Sequence, residues 1–146
     1  MGICNGFQIL CETGLLPGAL LPNTNQKFIC KNTHIVPVNF ETTITSEIPR
    51  GIYLKIPIAH AEGRYYADDE TIRKLRLNNQ IIFKYATESG EISKQANPNG
   101  SVENIAGICN EKKNVFGMMP HPERAADEEL GNTDGNMIFS SIFKNL

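Results

Sequence analysis

The chain lacks an excess of either charge. Its 146 residues carry 14 Lys and Arg against 16 Asp and Glu, a formal net charge of −2. That balance argues against a nucleic-acid-binding face, and the absence of long like-charge blocks argues against a polyanion-binding tail. No apolar run approaches the ~20 residues needed to cross a bilayer. No basic segment followed by an apolar stretch opens the chain, so the expectation is a cytoplasmic protein with no membrane partner. None of the four cysteines (Cys4, Cys11, Cys30, Cys109) forms a Cys-x-x-Cys pair. A structural zinc site is therefore not expected, nor any other metal, and the cysteines read as free thiols. Repeats, low-complexity segments and linkers are missing, as is any phosphate-binding glycine loop.

What remains is a composition with 40% hydrophobic residues, enough for the core of one domain. Phe7–Thr13 reads as a short helix with Phe7, Leu10 and Cys11 on one face and Gly14 as its stop. Leu15–Asn23 contains Pro17, Gly18 and Pro22 and reads as a loop. Strands are expected over Lys27–Phe40, Gly51–Ile58 and Gln80–Tyr85, and a helix capped by Asp68 or Asp69 running to about Leu77. Asn97-Pro98-Asn99-Gly100 is turn chemistry. Ile105–Cys109 and Val115–Met119 form a hairpin pattern. Thr133 or Asp134 would cap a last helix whose apolar face is Met137, Ile138, Ser141, Ile142 and Leu146. Strands and helices mixed in this way predict a layered α/β fold over residues 1–146.

The sharpest local signal is Gly2-Ile3-Cys4-Asn5-Gly6, the Gly-x-Cys-x-Gly form of a nucleophile elbow. A strand-to-helix turn this sharp pushes the nucleophile into a strained conformation, and side chains two residues either side would collide with backbone. The helix that follows points its positive end at Cys4, and the Asn5 amide is placed to donate to an oxyanion. A nucleophilic thiol needs a base and a group to orient it. His34 lies in a β-like run with no acidic neighbour and reads as structural or exposed. His60-Ala61-Glu62 and His121-Pro122-Glu123 each place a carboxylate two residues from an imidazole, on one face of an extended segment. Pro120 and Pro122 hold His121 in a rigid loop beyond an apolar strand, which favours it. His60, just past the strand ending near Ile58, is the rival.

Five segments together resemble a known family. They are Gly2-Ile3-Cys4-Asn5-Gly6-Phe7-Gln8-Ile9-Leu10 with Gly14–Leu20; Ala59-His60-Ala61-Glu62-Gly63-Arg64-Tyr65; Asn97-Pro98-Asn99-Gly100-Ser101; Ile105-Ala106-Gly107-Ile108; and Gly117-Met118-Met119-Pro120-His121-Pro122-Glu123-Arg124-Ala125. In this order they resemble the glutaminase subunits of phosphoribosylformylglycinamidine synthase, which are class I, triad-type glutamine amidotransferases. The resemblance implies a flavodoxin-like three-layer α/β domain. It implies Cys4 as nucleophile, His121 as proton carrier, Glu123 as the orienting carboxylate, and substrate contacts at Asn5, Gly6 and Gln8. His60 and Glu62 are carried over only as site-lining or partner-facing residues.

The implied activity is hydrolysis of glutamine to glutamate and ammonia. The ammonia passes to a synthetase subunit that converts formylglycinamide ribonucleotide to the amidine in purine biosynthesis, often with a small bridging subunit. ATP and Mg belong to that synthetase, and this chain binds no cofactor of its own. Family members place several strands before the elbow, whereas three residues precede Cys4 here. The expectation is a domain lacking its N-terminal third, with unpaired sheet edges and one oxyanion donor fewer, and hence a poor glutaminase alone. Two other readings accompany this one: an inactive amidotransferase-like binding module, and a related γ-glutamyl cysteine hydrolase.

Overall fold

A computed structural model describes residues 1–146. Its elements in chain order are β1 (Gly2–Ile3), α1 (Asn5–Glu12), β2 (Ala19–Leu21), β3 (Ile29–Pro37), β4 (Leu54–His60), β5 (Arg64–Tyr66), α2 (Asp69–Leu77), β6 (Ile81–Ala86), β7 (Ile105–Cys109), β8 (Phe116–Met118) and α3 (Asn136–Lys144). Short 3₁₀ turns fill the connections, one of them Pro122–Ala125 directly after His121.

Six strands form one mixed sheet in the order β1-β8-β7-β6-β3-β4. β1 runs parallel to β8, with Gly2 opposite Gly117 and Ile3 opposite Met118, and the other pairs are antiparallel. β3 is long enough to serve two neighbours. Ile29–Ile35 pair with β4, while His34–Pro37 pair with β6. The Leu15–Asn23 segment is not all loop: Ala19–Leu21 pair antiparallel with Arg64–Tyr66 as a two-stranded ribbon. A three-residue strand bounded by prolines is too short to show a period-2 signal, which is why the sequence hides it.

The sheet separates two apolar clusters. On one face α1 and α2 bury Phe7, Cys11, Ile72 and Leu75 against Tyr65, Ile105, Ile108 and Met119. On the other, Ile138 of α3 and Ile44 and Ile48 of the β3–β4 connection pack on Ile35, Leu54, Ile56, Ile58, Phe83 and Tyr85. This is the helix–sheet–helix layering expected from the alternation of elements.

Two helix ends follow the sequence reading. Asp68 caps α2 by accepting from the Thr71 amide at 2.8 Å, and Gly14 stops α1 with φ 72°. The third does not. The residue preceding α3 is Gly135, and the expected cap Asp134 instead accepts from the Lys55 amide at 2.7 Å, tying the helix entry to β4. Leu146, expected on the apolar face of α3, lies beyond its last turn and is almost fully exposed. No helix is long and apolar enough to cross a membrane.

Candidate active site

Cys4 occupies the junction between β1 and α1 with φ 51° and ψ −108°. A non-glycine residue in that region is strained, and strain of this kind gathers at functional positions. The junction is held on both sides. The Cys4 amide donates to Met118 O at 2.9 Å, and the Phe7 and Gln8 amides close back on Cys4 O at 2.9 and 3.2 Å.

The glycines flanking Cys4 differ in role. A Cβ on Gly2 would stand 2.6 Å from the Gly6 carbonyl carbon and oxygen, a clash with backbone. A Cβ on Gly6 would meet nothing within 4 Å. The steric requirement expected at both positions therefore applies to Gly2 alone.

β8, the strand beside β1, leads through Met119 and Pro120 to His121. Glu123 Oε1 lies 2.6 Å from His121 Nδ1, so the carboxylate accepts the Nδ1 proton and the ring turns Nε2 elsewhere. That Nε2 is buried and has no hydrogen-bond partner. The His121 amide donates to Pro57 O of β4 at 2.8 Å, fixing the loop from the other side. Arg124 Nε stands 3.7 Å from the same Glu123 oxygen.

β1 and β4 are the two outer strands of the sheet, yet the Cys4 thiol donates to Ala59 O at 3.8 Å. The sheet is curled until its edges face each other, and a cleft of about 500 Å³ occupies the seam. Cys4, Asn5, Gln8, His121 and Arg124 line one part; Ala59, His60, Ala61 and Glu62 line the other, with Phe28 at the rim. Gln8 crosses the seam, its side-chain amide donating to Glu62 O at 2.8 Å. Gly6 is not among the lining residues. His34 lies apart, on β3. A larger hollow of about 710 Å³ behind α1 contains Cys11 and Lys74 but no histidine.

Burial raises the Cys4 thiol pKa above its ordinary value; a hydrogen bond from the Asn5 amide and the charge of Arg124 act the other way. Burial pushes Cys11 up to about 12 and Cys109 up to about 11, so both are held as inert thiols. Cys30 is exposed.

Nothing in the sequence alone singles out Asn23. Its Oδ1 lies 3.1 Å from His60 Nδ1 and accepts from the Gly63 amide at 3.2 Å. Asn23 and His60 are 37 positions apart, and nothing in a linear reading joins them.

Known proteins resemble this chain in sequence and in fold. The CobB/CobQ-like glutamine amidotransferase domain matches residues 1–142. The chain belongs to this glutamine amidotransferase family. The amidotransferase chain is 54% identical over 142 residues to phosphoribosylformylglycinamidine synthase subunit PurQ of Aquifex aeolicus, covering 97% of this chain and 63% of that protein. It is 56% identical to the PurQ subunit of Koribacter versatilis, covering 97% and 62%. Among solved structures it resembles a chain of PurLQS from Thermotoga maritima with TM-score 0.82 and 44% identity, covering 99% of this chain and 60% of that one. The chain thus spans about three fifths of the length of the relatives it matches.

Proposed function

We propose that residues 1–146 form one amidotransferase domain carrying the glutaminase site of a phosphoribosylformylglycinamidine synthase. It hydrolyses glutamine to glutamate and ammonia for a synthetase subunit making formylglycinamidine ribonucleotide in the cytoplasm. The carrying observation is the convergence in one seam of a strained elbow cysteine and an imidazole whose Nδ1 is held by a carboxylate. The names of the relatives supply the pathway, and the three-part name of the Thermotoga assembly supports a synthetase partner and a further subunit. ATP and Mg are assigned to the synthetase.

The chemistry follows from the atoms present. His121 Nε2 accepts the Cys4 proton as the sulfur attacks the side-chain carbonyl carbon of glutamine. Glu123 keeps Nδ1 protonated and balances the charge on the ring, as the carboxylate does in other triads. The backbone amide of Asn5, at the start of α1, stabilises the oxyanion. His121 returns the proton to nitrogen, the C–N bond breaks, ammonia departs and a γ-glutamyl thioester remains. Water then attacks the thioester, His121 takes its proton and passes it to the departing sulfur, and glutamate and the Cys4 thiol are formed. Gln8 Oε1, which accepts no protein hydrogen bond while Nε2 bonds Glu62 O, is assigned to the substrate, as are Asn5 and Gly6 at the start of α1.

Thiol labelling tests this reading. A chloroketone analogue of glutamine is expected to alkylate Cys4 ahead of Cys11, Cys30 and Cys109, and H121A should abolish the preference. Iodoacetamide, which has no glutamine features, should favour the exposed Cys30. Equal, slow labelling of all four cysteines by the analogue would support the inactive binding module instead.

A further inference from the structure

The seam carries two charges that the triad chemistry leaves unused. Among the residues lining the cleft, Arg124 is the one permanent cation and Glu62 the one anion. Both side chains are exposed, so both are open to a ligand entering the seam. Arg124 belongs to the turn after His121, on the side that carries Cys4. Glu62 follows the end of β4, on the other side.

Neither charge is matched within the protein. The Arg124 guanidinium donates no hydrogen bond. Its one ionic neighbour is Glu123 Oε1, 3.7 Å from Nε, and that oxygen already accepts from His121 Nδ1 at 2.6 Å. The Glu62 carboxylate accepts no hydrogen bond and joins no ion pair; the contact from Gln8 is to its backbone oxygen. Unmatched charges are ordinary where they face bulk water. Here they have opposite signs and face one cleft that already contains a nucleophile.

Both lie close to the reacting end. Arg124 is near enough for its charge to act on the Cys4 thiol. Gln8, one helical turn past Cys4, bonds the backbone of Glu62 at 2.8 Å. With the carboxamide carbon of glutamine at the Cys4 sulfur, the α-carbon is three C–C bonds away, roughly 4 Å. That carbon carries a carboxylate and an ammonium in a free amino acid, and neither charge in a peptide.

We infer that Arg124 binds the α-carboxylate and Glu62 the α-ammonium of the substrate, so that the site takes free glutamine and rejects the glutamine side chain of a peptide. The inference rests on the glutaminase reading and deepens it. A guanidinium presents its donors in a planar fork that matches a carboxylate. A carboxylate accepts the N–H groups of an ammonium in the same charge-assisted way. The two charges fix the distal end of the substrate while Cys4 takes the proximal end.

The test is alkylation of Cys4 in the full chain by three chloroketones: the glutamine analogue, the same molecule without its α-carboxylate, and the same molecule without its α-ammonium. In the unaltered chain, each deletion should slow alkylation of Cys4 at least roughly tenfold. R124Q should slow the complete analogue by a similar factor and leave the carboxylate-free probe within about twofold, since the partner of Arg124 is already missing from it. R124K, which keeps the charge, should recover part of the loss. E62Q should behave in the same way towards the ammonium-free probe. Both side chains are exposed, so neither substitution disturbs the core. If R124Q slows all three probes by one factor, the guanidinium acts only through Cys4 or Glu123, and the inference is overturned. An unchanged rate with the complete analogue overturns it equally. Both of those results keep the glutaminase reading, because the complete analogue still selects Cys4. If the complete analogue does not select Cys4 in the unaltered chain, that reading falls and takes this one with it.

Discussion

At the residue scale, burial bears on the chemistry of both Cys4 and His60. Burial moves the Cys4 thiol away from thiolate, so its proton must be taken up in step with attack. A lone pair held ready on His121 suits that requirement. His60 pays for its place in the seam in a way that can be measured. Its pKa is lowered from 6.5 to about 4, chiefly by burial, so below pH 6.5 the unfolded chain binds a proton that the folded chain refuses. Stability is therefore fully present above pH 6.5 and is lost progressively as pH falls towards about 4. Urea denaturation at pH 7.5 and at pH 5 should show this loss in the unaltered chain, and H60Q should show a smaller one. An identical loss in both would mean that other groups carry the acid sensitivity.

At the element scale, the elbow makes asymmetric demands on its two glycines. Gly2→Ala forces a methyl into the Gly6 backbone and should destabilise the chain by roughly 1–3 kcal/mol, as other over-packed positions do. Gly6→Ala adds a methyl in open space inside α1 and should leave stability unchanged or raise it by up to about 1 kcal/mol. Thermal melts of the two variants decide the point, and equal losses would contradict this account.

The same region shows what a sequence can disclose. The Gly-x-Cys-x-Gly spacing, the apolar face of Phe7 and Cys11 and the stop at Gly14 are local, and each is found where the pattern implies. The hairpin of β7 and β8 and the Asp68 cap are local too. The choice between His60 and His121 is not. It depends on β8 lying beside β1, a pairing between residues more than a hundred positions apart. Asn23 was invisible for the same reason, and the Gly135 start of α3 because Asp134 found a more distant partner in Lys55. The resemblance of the motifs to amidotransferases supplied the role of His121 that spacing alone left open.

At the scale of the whole molecule, the two edges of the sheet are unequal. β1 contributes two residues to its edge, while the strands at the centre are paired on both sides. Hydrogen exchange should reflect this. The Cys4 amide, bonded to Met118 O at the edge, is expected to exchange at least roughly tenfold faster than the Cys109 and Met119 amides, bonded to Gln80 O and Ala106 O. Equal protection at all three would show the elbow to be as firmly held as the interior.

The curl that brings Cys4 to Ala59 has a mechanical corollary. The width of the reactive gap is set by the bend of a continuous ribbon of hydrogen bonds, shared among all six strands, instead of by a flap on a hinge. A partner that gripped the exposed first half of β3, at Cys30–Asn32, would tighten or slacken the gap without touching a single atom inside it.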